Sequence, residues 1–478
     1  MRILYTLLAV VLMLSEVSFA QDSFDRMQEP QPGPAPTLKL PAIQRASLPN
    51  GLKLMVVEHH ELPIVQLQMV VRTGADADPI GKAGIANMTA SMLDEGTTSR
   101  TTLQIADEVD YIGAQLSTSA SFDGSFANVL TTKEHLQKAT EIFADVILHP
   151  SFPQSEFDRL QKELLTSILQ QKDRPEIVAN NVFYEKLYGI RHPYGSQSSG
   201  SETSVKGMSV EDLKSFYESF FVPDNATLIV VGDISKKEVQ SLAEEYFGKW
   251  NGKNVPEKKF AESSENEETT LYLVDKPGAP QSQIRIGNVA LERNSEDYYA
   301  ASLLQQIIGS SNGKLYLNLR EAKGYTYGAY AQFVMRRNRG PFLAYAGVRT
   351  DVTDSSMIEF MKEIRGMHDE VISEKEFDMY KKAVIQRIPR LFETPAQISA
   401  QLASLTLYNL PDDFFNTLVD RYVEISREDV LAVAKKYIHP EKLIIVVVGD
   451  KEKIMGKLAA LGYDRIVECD TEGNKVQR

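Results

Sequence analysis

Met208-Ser209-Val210-Glu211-Asp212-Leu213 recurs far down the chain as Ile425-Ser426-Arg427-Glu428-Asp429-Val430. At the offset that carries Ser209 onto Ser426, Pro223-Asp224 recurs as Pro440-Glu441, and Val230-Val231-Gly232-Asp233 as Val447-Val448-Gly449-Asp450. Val57-Glu58 and Pro63 return at that offset too, as Val274-Asp275 and Pro280. One such match means little, but several at one offset, spread over nearly a whole half, identify an internal duplication. The fold must therefore be one that the chain can build twice. A polar stretch, 251–270, which includes Glu257-Lys258-Lys259, separates the copies. It is expected to be an inter-domain linker between domains 41–250 and 271–478.

Each half mixes the two periodicities. Leu52–Val57 and Ile64–Val71 alternate as strands do, and Leu271–Val274 with Gln283–Val289 repeats the pair. Helical spacing follows in Leu136–Ile147, Phe157–Gln171 and Val210–Phe220, the last opened by Ser209. Leu228–Val231 and Leu443–Val448 are short apolar runs ending in Gly-Asp, as strands buried on both faces are. The expected fold class is α+β, two homologous halves, each an antiparallel sheet covered by helices.

The ends and the charge restrict function. Met1–Ala20 reads as a signal peptide, with Arg2, an apolar run and Ser18-Phe19-Ala20 before Gln21. Residues 21–40, with prolines at 30, 32, 34 and 36, read as an extended Pro-rich linker. Cys469 is the single cysteine, so an exported chain would have no internal disulfide, and a bacterial periplasm fits best. A net charge of −13 disfavours nucleic acid and anionic membrane surfaces as partners. No membrane association is expected once the signal is cleaved.

Gly84–Thr97 reads as a helix with an unusual inventory. Its register is similar to the inverted zinc motif H-x-x-E-H, yet Asn87 and Ser91 stand at the two His positions and Ala90 at the Glu position. The motif needs two imidazoles at i and i+4 to hold Zn²⁺ and a Glu to activate the bound water. An amide oxygen, a hydroxyl and a methyl group do neither. Together with Asn50-Gly51-Leu52, His192-Pro193-Tyr194-Gly195, Leu319–Tyr327 and both Val-Val-Gly-Asp endings, the register makes the chain resemble the short-subunit branch of the pitrilysin-type (inverzincin) metallopeptidases. The likeness runs from about Ile43 to Asp450.

The resemblance implies that the two halves form a clamshell around a peptide chamber. It also implies a third zinc ligand, a Glu, in the region of Ser167-Ile168, where neither residue can serve; Glu163 lies about a turn too early. A rearranged site from Asp94, Glu95, His59 or His60 is a lesser alternative. Within Leu319–Tyr327 the family's substrate-holding Arg and Tyr correspond to Arg320 and Tyr327. These are a guanidinium and a phenol able to donate to peptide carbonyls. The plainer reading pairs Arg320 with Glu321 and packs Tyr327 in a core. Gly309–Gly313 reads as a turn between helices.

The expectation is therefore a subunit with no catalytic residues or cofactor of its own and inactive alone. It would supply Arg320, Tyr327 and half a peptide chamber to a paralogous partner that carries H-x-x-E-H and zinc. The alternative is a stand-alone peptide-binding or scaffold protein without proteolytic activity.

Overall fold

Twelve strands form two six-stranded sheets in a computed structural model that describes residues 42–252, 254–258, 266–463 and 465–476. The expected signal peptide and Pro-rich linker lie outside the described residues. The first sheet contains β1 (Gln44–Ser47), β2 (Lys53–Glu58), β3 (Ile64–Val71), β4 (Gln115–Ala120), β5 (Ser125–Thr132) and β6 (Ala226–Gly232), in the order β1-β2-β6-β3-β5-β4. The second contains β7 (Thr270–Asp275), β8 (Gln281–Val289), β9 (Thr326–Phe333), β10 (Pro341–Arg349), β11 (Ile444–Gly449) and β12 (Ile466–Cys469), in the order β12-β7-β11-β8-β10-β9. Leaving aside β1 and β12, the remaining five strands of the two orders correspond one to one. The offset read from the sequence carries both ends of β2 onto those of β7, Lys53 onto Thr270 and Glu58 onto Asp275. The two homologous halves are thus real structural repeats.

The pairing is antiparallel with three exceptions: β2 runs parallel to β6, and β7 runs parallel to both β11 and β12. The apolar runs ending in Gly-Asp are these parallel-paired strands, buried along their whole length. A strand buried on both faces needs cover on both, and each sheet obtains it from two sources.

One face is covered from within its own half. Leu54, Leu67 and Val230 pack against Phe143, Leu213 and Phe247 in the first half. Leu273, Ile286 and Val447 pack against Leu304, Phe360 and Val433 in the second. The other face is covered by the opposite half. Helix Pro395–Tyr408 sets Ile398, Leu402 and Leu405 on Met55, Val70, Ile229 and Val231 of the first sheet. Reciprocally, helix Pro175–Tyr188 sets Val178, Val182 and Phe183 on Val274, Ile444, Val446 and Val448 of the second.

Each exchanged helix is held in part by a buried polar side chain of the sheet beneath it, and the two, Gln68 and Arg285, stand at equivalent positions of the repeat. Gln68 of β3 accepts a hydrogen bond from Ser399 (2.7 Å). Arg285 of β8, 4% exposed, donates to the Asn180 side chain (2.6 Å) and to the Glu176 carbonyl (3.1 Å). Burial brings that guanidinium down to about 10, so it stays charged at neutral pH.

A third tie is ionic. The β9–β10 loop carries Arg337, which reaches Asp76 (2.5 Å) and the Arg72 carbonyl (3.0 Å) in the first half. Lys258, from the polar stretch between the halves, donates to the same Asp76 (2.7 Å). The Asp76 side chain is fully buried. Burial pushes its carboxyl up and the Lys258 ammonium down to about 8, while each cation opposes the shift of the acid. Next to it Arg336 lies over Phe122 (4.0 Å) and Tyr194 (4.5 Å), and the Tyr194 hydroxyl donates to Asp123 (2.9 Å). His192-Pro193-Tyr194-Gly195 is therefore part of this joint. Both halves belong to one compact unit. Among the described residues no helix is long and apolar enough to cross a membrane.

Candidate functional site

The helix expected over Gly84–Thr97 is shorter, Ile85–Ser91. Gly84 opens it at φ +101°, where a Cβ would meet the Ser199 carbonyl oxygen at 2.6 Å, so only glycine fits. Gly96 takes φ +126° and Thr97 forms a bridge with Pro150, which draws the chain away from the helix axis. The start is capped by Asp78, whose two carboxyl oxygens accept from the Gly84 (2.7 Å) and Ala86 (2.9 Å) N–H groups.

Burial pushes the Asp78 carboxyl up to about 7 against those bonds, which favour its anion. Between the ordinary carboxylate range and about pH 7 the folded chain then holds a proton that the unfolded chain has released. This group's contribution to stability therefore falls as pH rises through that window. Asp78→Asn removes the titration. The melting temperature of the wild type minus that of D78N is expected to drop from pH 4 to pH 7; a flat difference would mean the carboxyl never takes up the proton.

The residues at the metal positions do not suit zinc. Asn87 is half-buried and donates its amide to the Ser198 carbonyl (2.7 Å), Ala90 is fully buried, and Ser91 is exposed. In helix Gln154–Gln171, Ser167 is exposed and accepts from Gln171, while Ile168 is 6% exposed in the core. Thiolate, imidazole and carboxylate donors are lacking at all four positions.

The alternative ligands are scattered. Asp94 accepts from Thr118 (3.2 Å), and burial raises its carboxyl. Glu95 pairs with Arg159 (2.6 Å), which also binds Glu156 and Glu163. His60 pairs with Asp233 (2.6 Å), and His59 lies 3.9 Å from Glu61. Among the described residues no group of three or more His, Cys, Asp or Glu side chains could hold a metal ion.

Arg320 and Tyr327 occupy a distorted stretch. A helical turn, Lys314–Tyr316, widens into a π-helical segment, Leu317–Ala322. The end is closed by Lys323 N–H to Asn318 (3.0 Å), Gly324 N–H to Arg320 (3.0 Å) and Tyr325 N–H to Leu319 (2.9 Å), with Gly324 at φ +63°. Such π segments recur at functional sites. Asn318 ties it to Glu359 (2.9 Å) and Glu363 (2.6 Å), and Arg349 holds the Gly324 carbonyl (2.9 Å). The Arg320 guanidinium stacks over Tyr316 (4.7 Å) and lies 3.5 Å from Glu321.

Tyr327 is set by a bulge. Thr326 pairs with Val348 and Ala329 with Ala346, leaving Tyr327 and Gly328 opposite the single residue Gly347. Val348 and Ala346 both face the core, so the residues opposite Gly347 turn away from it. Tyr327 is 86% exposed and packs in no core. It stands on β9, the edge strand of the second sheet. Among the described residues no hydrogen bond or ion pair joins Ile85–Ser91 to Arg320 or Tyr327. The Gly309–Gly313 stretch is a turn between helical segments, as expected.

Two family models match the chain: "Insulinase (Peptidase family M16)" over residues 54–193, and "Peptidase M16 inactive domain" over residues 207–384. Among curated proteins, an uncharacterized zinc protease of Rickettsia felis is 24% identical over 82% of this chain and 94% of its own length. Zinc protease PqqE of Helicobacter pylori is 22% identical over 83% and 90%.

Among solved structures, the peptidase M16 inactive domain from Pseudomonas fluorescens has a TM-score of 0.80 at 26% identity, covering 85% of this chain and 98% of that one. The periplasmic protease PqqL from Escherichia coli has a TM-score of 0.70 at 16% identity, covering 88% of this chain and 49% of that one.

Proposed function

Because the chain belongs to the insulinase (M16) peptidase family, we propose that it is the non-catalytic subunit of an exported zinc peptidase heterodimer. Its partner would be a paralogue with an intact H-x-x-E-H motif, and its ligands peptides. The carrying observation is a division within one chain. All four metal positions hold residues that cannot bind or activate, while Arg320 and Tyr327 are presented outward by a π segment and a bulge. A chain reduced to a scaffold has no need of an exposed phenol and guanidinium held by such local distortions. Export is supported by the signal-like residues 1–20 and by the periplasmic description of PqqL. The domain division at 251–270 belongs to the same reading.

Arg320 and Tyr327 would act by donating hydrogen bonds to backbone carbonyls of a peptide lying along the β9 edge, where a carbonyl oxygen gains charge during attack. The test is hydrolysis of a quenched fluorescent peptide by the mature chain, by the paralogue, and by the two mixed. Activity in the mixture alone is the expected result. Activity in this chain alone, with about one zinc per chain by metal analysis, would overturn the proposal. A paralogue equally active without this chain would favour the scaffold reading.

A further inference from the structure

The strand register places Tyr330 of β9 opposite Tyr345 of β10, and Tyr345 opposite Arg285 of β8, so all three side chains share one face of the second sheet. Helix Pro175–Tyr188 packs on that face over β8 and β11. Towards β9 it carries a row of half-buried rings. Tyr345 lies 5.7 Å from Tyr330, and Tyr330 lies 6.1 Å from Tyr316, the residue under Arg320. The row thus runs from the Arg320 guanidinium to that of Arg285, 5.5 Å from the Tyr345 ring. Gly328 shapes it, because the Tyr330 ring lies across this glycine; a Cβ there would meet the Tyr330 hydroxyl at 2.5 Å and a ring carbon at 2.7 Å. The same bulge that exposes Tyr327 therefore lays Tyr330 down beside it.

We infer that this tyrosine row receives an aromatic side chain of the bound peptide, next to the backbone held by Arg320 and Tyr327. The inference rests on the proposed peptide-gripping role of that pair and adds a substrate preference to it. Aromatic rings stack well on tilted neighbours at centroid distances of about 4.5–7 Å, the spacing already present within the row. The guanidinium at either end disfavours a lysine or arginine side chain. Arg320 already has Glu321 and a ring as partners, which reduces its pull on an acidic one.

The probe is a set of labelled Gly/Ser peptides identical except for one central Ala, Leu, Lys, Glu or Phe, titrated against the full mature chain by fluorescence anisotropy. The Phe peptide should bind about tenfold more tightly than the Ala peptide. Tyr330→Ala should remove that preference. Gly328→Ala, which keeps every ring and only displaces Tyr330, should weaken it, with far-UV circular dichroism unchanged in both variants. Tightest binding of the Glu peptide would show that the guanidinium makes the choice, and the inference fails. Equal binding of all peptides, or a Phe preference that survives both variants, overturns it as well while leaving the gripping role intact. Absence of binding by the wild type overturns it too. The hydrolysis assay then shows whether the gripping role survives: it does if the mixture alone is active, and falls if this chain does not affect the paralogue.

Discussion

If the proposed heterodimer reading holds, replacing Arg320 by alanine is expected to lower its turnover about 100- to 1,000-fold, the usual cost of removing one donor to a developing oxyanion. Tyr327→Phe, which removes only the hydroxyl, should act in the same direction. Neither change should disturb assembly or folding. Among the described residues the Arg320 side chain meets Tyr316 and Glu321 at the surface, and Tyr327 is 86% exposed, so the expected stability change is within about 0.5 kcal/mol. The informative measurement is kcat alongside size-exclusion of the mixed subunits. Full activity in both variants would leave the pair a merely structural role.

Asp76→Ala is expected to be the most destabilising single substitution of a charged residue in the inter-half joint. It leaves Lys258 and Arg337 facing each other without their shared carboxylate, in a place where the acid is fully buried. Removing one partner of a buried ionic cluster costs about 3–5 kcal/mol. Lys258→Ala should cost less, because Arg337 still neutralises Asp76. Urea unfolding of the two variants orders them; a loss below about 1 kcal/mol for Asp76→Ala would show that water replaces the carboxylate at no great cost.

The amino-acid pattern shows some of this molecule and not the rest, for physical reasons. The constant offset that carries Ser209 onto Ser426 located both sheets, because equivalent strands carry equivalent apolar runs. Alternation reports that a face is buried, not what buries it, so the exchange of Pro175–Tyr188 and Pro395–Tyr408 had no sequence signal of its own. Lys258 sits in a charged run that reads as solvated, and only the fold brings Asp76 beneath it. The helix expected over Gly84–Thr97 stops at Ser91, since Gly96 at positive φ and the Thr97 bridge outweigh local propensity. Arg320 and Tyr327 stood out by motif. The π segment and bulge that expose them depend on one-residue insertions, which periodicity does not resolve.

The helix exchange also constrains when each sheet can be covered during synthesis. A chain made from its N-terminus completes β2, β3 and β6 long before residues 395–408 exist, so Met55, Val70, Ile229 and Val231 wait without a cover. At roughly 5–20 residues per second of translation that interval lasts on the order of ten seconds or more, with an apolar sheet face open to wrong neighbours. Neither copy completes its cover alone, since each sheet is finished by a helix from the opposite half. Either half taken alone would therefore leave one face of its sheet without the helix that covers it.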